Sequence, residues 1–129
     1  MPLKTIVSFL KDKDELKTAE ILLNTFSKYA GGIEQLDELA MLYEKVKLYT
    51  KSEEYLQKCL AIANNPAQQY AVRANLAKVY NHLNEPRKSI LQSNLLLEIN
   101  PNNFEAQMEI AFSYYLLGEY AKSYALQLE

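Results

Sequence analysis

The chain repeats itself. The segment Leu76-Ala77-Lys78-Val79-Tyr80 returns as Ile110-Ala111-Phe112-Ser113-Tyr114, 34 residues later. The same interval pairs Leu83 with Leu117, Glu85 with Glu119, Lys88 with Lys122 and Ser89 with Ser123. Upstream, Leu39-Ala40, Tyr43 and Ser52 stand 37 residues before Leu76-Ala77, Tyr80 and Ser89. A period of this length means that one small supersecondary unit is used several times, each burying its apolar face on the next. The three residues by which the intervals differ are assigned to the loop signals Asn64-Asn65-Pro66, where an insertion lengthens a connection without breaking a helix.

Within a unit the apolar period is helical. Leu36, Leu39, Ala40, Tyr43 and Val46 share one helical face, and Leu56, Cys59, Leu60 and Ala63 share another after the turn. Each unit therefore reads as two amphipathic helices joined by a tight bend. The bends have suitable chemistry. Pro86 fits the first turn of a helix, where its missing N–H costs nothing. Gly118 stands where a helix ends, a place that favours left-handed φ. Asn100-Pro101-Asn102-Asn103 stops one helix, and Asn103 can cap the next. With 3 Gly and 4 Pro in 129 residues, breakers are too few for a turn-rich β domain. Apolar residues at 49% and charged residues at 23% fit an ordinary folded protein rather than a disordered one.

This period and pattern resemble the tetratricopeptide repeat family. In that family small residue, Tyr, Gly, Tyr, small residue and Pro recur at set places. Here they are Ala111, Tyr114, Gly118, Tyr120 and Ser123 in the last unit, Ala77, Tyr80, Pro86, Ser89 and Pro101 in the middle one, and Ala40, Tyr43, Tyr49 and Ser52 before it. The family's early large aromatic is replaced by Leu36, Arg73 and Gln107. The resemblance implies an all-α fold, a right-handed α-solenoid of antiparallel helix hairpins with about eight helices. The expected units are 33–66, 67–103 and 104–129, the last cut short in its second helix. Residues 1–32 are either a degenerate fourth unit or a plain capping hairpin. Leu3, Ile6, Val7 and Leu10 make its first helix, and Leu16, Ala19, Leu23 and Phe26 its second. Val7 precedes Ala40 by 33 residues.

Catalytic chemistry finds little support. The single His82 has no second His, and its one thiol partner in sequence, Cys59, lies in another unit. A zinc site needs three or four ligands, so no metal is expected. Cys59 sits at a small-residue packing position, where a free thiol behaves as a buried hydrophobe. The carboxylates Glu34, Asp37, Glu38 and Glu44 follow one helix surface rather than facing each other across a cleft. No phosphate loop, nucleophile elbow or zinc-binding pair occurs. The chain is expected to be no enzyme and to need no cofactor. A formal charge of -2, spread as +1, -2 and -1 over residues 1–32, 33–66 and 67–129, disfavours nucleic acid. No stretch approaches the ~20 apolar residues that span a bilayer. The start to Lys13 reads as an amphipathic helix rather than a signal peptide, so a cytoplasmic location is favoured. The ending Leu128-Glu129 is compatible with a piece of a longer chain.

In the family, the first helix of each unit lines a concave binding groove. Carried over residue by residue, that surface is Glu34, Asp37, Met41, Glu44 and Lys45; then Ala71, Ala74, Lys78, Asn81 and His82; then Glu105, Met108, Phe112, Tyr115 and Leu116. It runs from acidic to apolar and aromatic, which suits a protein or peptide with a basic stretch and an apolar anchor. The apolar end has a second reading, a face covered by a further hairpin. Some family members grip a C-terminal carboxylate with Lys, Asn and Arg. The matching places here are Asp37, Met41, Asn75, Glu105 and Glu109, whose acidity repels one. Two other roles stay open: an accessory domain of a larger enzyme such as a glycosyltransferase, or a homo-oligomer formed through Tyr120, Tyr124, Ala125 and Leu128 in the C-terminal hairpin.

Overall fold

The structure, a computed structural model, describes residues 2–119. These form seven helices in chain order: α1 (Leu3–Asp12), α2 (Leu16–Ser27), α3 (Ile33–Lys45), α4 (Tyr49–Ile62), α5 (Pro66–His82), α6 (Pro86–Ile99) and α7 (Phe104–Leu116). No strand occurs among the described residues. The expected eighth helix, with Tyr120, Ser123, Tyr124, Ala125 and Leu128, lies outside them. The chain divides into two compact units after Ile62. The first contains α1–α4 and the second α5–α7.

The helix starts follow local chemistry. Asn65 Oδ1 accepts from the Gln68 N–H at 2.8 Å, with Pro66 at the first helical position of α5. Asn103 Oδ1 accepts from the Ala106 N–H at 3.0 Å to open α7. At α3 the cap comes from inside the helix: Gln35 Oε1 accepts from the Gly31 N–H at 3.0 Å and from the Gly32 N–H at 3.5 Å.

The helix ends are one motif used four times. Asp14, Lys47, Asn84 and Gly118 have φ of 58°, 65°, 58° and 79°. Each donates its N–H three residues back, and the following residue donates five residues back. After α3 these bonds are Lys47 to Glu44 O at 2.9 Å and Leu48 to Tyr43 O at 2.8 Å. After α7 they are Gly118 to Tyr115 O at 3.0 Å and Glu119 to Tyr114 O at 2.8 Å. This is the Schellman arrangement, which satisfies the last carbonyls of a helix through one left-handed residue. The four left-handed residues are spaced by 33, 37 and 34, the intervals of the sequence repeat.

Between the helices of a hairpin, small residues meet. In the first unit the Ser52 hydroxyl donates to Ala40 O at 2.7 Å, and Ala40 is fully buried. In the second, Ser89 donates to Ala77 O at the same 2.7 Å. Val7 and Ala19, at the matching places of α1 and α2, are also fully buried but carry no hydroxyl. Large side chains fill the next layer. Tyr43 is buried, stacks on Tyr55 with ring centroids 5.5 Å apart, and donates its hydroxyl to Asn24 Oδ1 at 2.6 Å. Burial and the neighbouring Tyr55 push its phenol up to about 12.

One sequence expectation is corrected here. The additional residues of the 37-residue interval do not lengthen a loop. Only residues 63–65 separate α4 from α5. Helix α5 instead has 17 residues where α3 and α7 have 13. Asn65 and Pro66 begin the helix one turn early, because the same residue types that break a helix also start one.

Candidate interaction surfaces

On α3, Glu34, Asp37, Met41, Glu44 and Lys45 follow each other at helical spacing and come to one side. All five line a single open depression of about 510 Å³, together with Lys4 of α1, Glu38 and Leu42. Met41 is 54% exposed there, although it is a large apolar residue. Lys45 Nζ donates to Ser8 Oγ at 2.5 Å and so ties α3 to α1. Asp37 lies deeper, and desolvation by burial holds its carboxyl above the usual 3.8.

Cys59 lies behind this surface, fully buried, its thiol 3.8 Å from Ile33 O. Burial, helped by the charge of Asp37, pushes the thiol up to about 11. It is therefore neutral near pH 7, the state opposite to that of a nucleophilic thiol.

A second depression in the same unit, about 350 Å³, was not foreseen from the sequence. Pro2 and Leu3 at the start of α1, Phe26, Tyr29 and Ala30 at the end of α2, and Gln35, Glu38 and Leu39 of α3 line it. Its apolar members are far apart in sequence. The one local signal is Phe26 and Tyr29 immediately before Gly31-Gly32, two aromatics at the mouth of a turn.

In the second unit the candidate residues separate. Lys78 and His82 are exposed on α5. Lys78 and Glu105 border a small cleft of about 80 Å³ with Asn75 and Glu109. Asn81, expected from the sequence on the groove surface, is instead buried, at 5% exposure. Its amide nitrogen donates to the Glu109 backbone oxygen at 3.1 Å and to Glu109 Oε2 at 2.7 Å. Its amide oxygen accepts from Ser113 Oγ at 2.8 Å. A buried amide must be satisfied, and Asn81 is satisfied by tying α5 to α7.

On α7, Met108, Phe112 and Tyr115 are exposed, and the rings of Phe112 and Tyr115 stack at 6.2 Å with 12° between planes. Phe104 extends the stripe by one turn and is 69% exposed. The sequence reading passed over Phe104, although its spacing of four from Met108 and eight from Phe112 marks it as part of the same face.

Among the described residues, no group of three or more His, Cys, Asp or Glu is placed to hold a metal ion. None of the described helices is long and apolar enough to cross a membrane.

No family model matches the sequence. No curated protein matches it either. Solved structures do. The crystal structure of MamA protein matches with a TM-score of 0.69 at 17% identity, over 98% of this chain and 68% of that one. The nearly identical TPR-like repeats of a Podosopora anserina protein assigned as a kinesin light chain match with a TM-score of 0.70 at 16% identity, over 95% of this chain and 68% of that one. With the recurrent Schellman turns and the paired Ala–Ser contacts, these matches define the fold: helix hairpins of the tetratricopeptide type.

Proposed function

We propose that the chain is a protein-interaction scaffold of repeat units 33–66, 67–103 and 104–129, the last cut short in its second helix, preceded by a degenerate or capping hairpin at 1–32, and that it binds a peptide or protein partner rather than catalysing a reaction. The observation that carries this reading is the α3 depression. It is open, it mixes four carboxylates with two lysines and an exposed methionine, and burial raises its half-buried Asp37. Carboxylates held beside apolar surface favour a partner that brings both positive charge and apolar stem. The α7 stripe supplies the complementary chemistry in the second unit, an aromatic face for an apolar anchor.

The test is selection from a random dodecapeptide library displayed on phage, with the purified chain as bait. Enrichment of peptides that combine Lys or Arg with Leu, Phe or Trp supports the reading. No enrichment above an unrelated helical protein, or enrichment of acidic C-terminal peptides, rules it out.

The exposed Phe104, Phe112 and Tyr115 also favour self-association through α7. Sedimentation equilibrium separates the two roles. A monomer at all concentrations up to ~0.5 mM, a range in which contacts weaker than about 4 kcal/mol stay dissociated, excludes the self-association role.

A further inference from the structure

The two depressions of the first unit share a wall. Glu38 lines both, and the adjacent α1 residues Leu3 and Lys4 line one each. One depression is apolar, formed by Leu3, Phe26, Tyr29 and Leu39. The other is acidic, with four carboxylates against two lysines, and one of those lysines already donates to Ser8. We infer that the first unit carries a bipartite peptide site, which takes an aliphatic or aromatic side chain beside Tyr29 and a Lys or Arg side chain beside Asp37, with Glu38 between them. This deepens the proposed binding role and rests on it.

Three observations select that occupant. The volumes, about 350 and 510 Å³, fall in or near the range of small-ligand pockets, so each admits a side chain rather than a flat surface. Tyr29 is 78% exposed, and an aromatic ring left so open at the mouth of an apolar depression gains by being covered. In the acidic half, Met41 and Leu42 offer an adaptable apolar floor for the stem of a Lys or Arg, while the carboxylates meet its charged head. Burial desolvates Asp37 and raises its carboxyl. An incoming cation offsets that desolvation. An acidic or purely apolar partner leaves the deeper carboxylate uncompensated, and a purely basic one leaves Tyr29 and Phe26 in water. The shared wall requires the two side chains to be close in the partner's sequence.

The test uses 15N-labelled chain titrated with three degenerate hexapeptide pools. The first places Leu or Phe two residues from Lys or Arg, the second replaces the apolar residue by Ser, and the third replaces the basic residue by Glu. The expected result is that the first pool alone shifts the amides of Leu3, Tyr29, Asp37 and Leu39. The exposed substitutions Tyr29→Ser and Glu38→Lys each weaken that binding about tenfold or more, while unfolding curves stay unchanged. If the pools shift only α7 amides, or the two variants bind as well as the parent, the bipartite site is wrong and the general binding role survives. If no pool shifts any amide, both fall. If dilution of the chain alone moves the Tyr29 and Leu39 amides, a second copy occupies the site and the peptide assignment is overturned.

Discussion

Ser52 Oγ lies 2.7 Å from the carbonyl oxygen of Ala40, and Ser52 is 1% exposed. The bond joins the two helices of the α3–α4 hairpin through two buried small residues, and Ser89 repeats it on Ala77. Ser52→Ala keeps the small volume and loses the bond, so it should lower stability by about 1 kcal/mol. Ser52→Leu keeps neither and should cost ~2–3 kcal/mol by overpacking. Urea unfolding measures both. Equal effects from Ala and Leu would show that the hairpin does not depend on the close approach.

The four left-handed residues predict opposite signs for the same kind of change. Lys47 has φ 65° with a Cβ, so Lys47→Gly should stabilise by about 0.5–1 kcal/mol. Gly118 has φ 79°, and an added Cβ would meet no atom within 4 Å. Gly118→Ala should therefore destabilise through the backbone alone, by about 1 kcal/mol. Asn84→Gly should change little, because Asn tolerates this conformation. Thermal melts of the three variants check the order.

The turns were legible because their residue types carry the mechanism. Gly118, Pro86 and Asn103 each suit one backbone position, and each is found there. Asn81 was not legible. A polar residue on a helix looks the same whether it meets water or a buried partner, and its partners Glu109 and Ser113 are 28 and 32 residues away. The early start of α5 was hidden for a different reason, since Asn64-Asn65-Pro66 reads equally as a loop or as a cap with its first turn. The apolar depression was hidden because Leu3, Phe26 and Leu39 come from three helices, and no local spacing joins them.

Arg73 stands where the family has a large aromatic, and the structure shows how the change is accommodated. Arg73 Nη1 donates to Gln92 Oε1 at 2.9 Å. At the matching places 37 residues earlier stand Leu36 and Tyr55, both buried. A polar pair has replaced an apolar one. Arg73→Leu alone leaves the buried Gln92 amide without its donor and should cost ~1–3 kcal/mol. The double variant Arg73→Leu with Gln92→Tyr restores the upstream pairing and should recover most of that loss. Additive single effects in a double-mutant cycle, where contacting residues normally couple by ~0.5–3 kcal/mol, would mean that the two positions act independently.

Asp37 gives a pH dependence with a definite sign. Its native carboxyl is raised above 3.8 by desolvation, so the folded state holds the proton more tightly than the unfolded state. Its contribution to stability is full below pH 3.8 and is lost as pH rises through the raised native value. The titratable groups that line the same depression are Glu34, Glu38, Glu44 and Lys45 on α3 and Lys4 on α1, and on α4 the charge of Asp37 raises the Cys59 thiol. Asp37→Asn removes the charge without changing the shape. It should be more stable than the parent at pH 7, with the difference shrinking toward pH 4. Cys59, pushed up to about 11 in the parent, should then ionise at somewhat lower pH, which ultraviolet thiolate absorbance follows directly. A variant equally stable at pH 7 and pH 4 relative to the parent, with the Cys59 titration unmoved, would show that Asp37 is well solvated. The acidic depression would then lack the desolvated carboxylate that makes a cationic partner favourable.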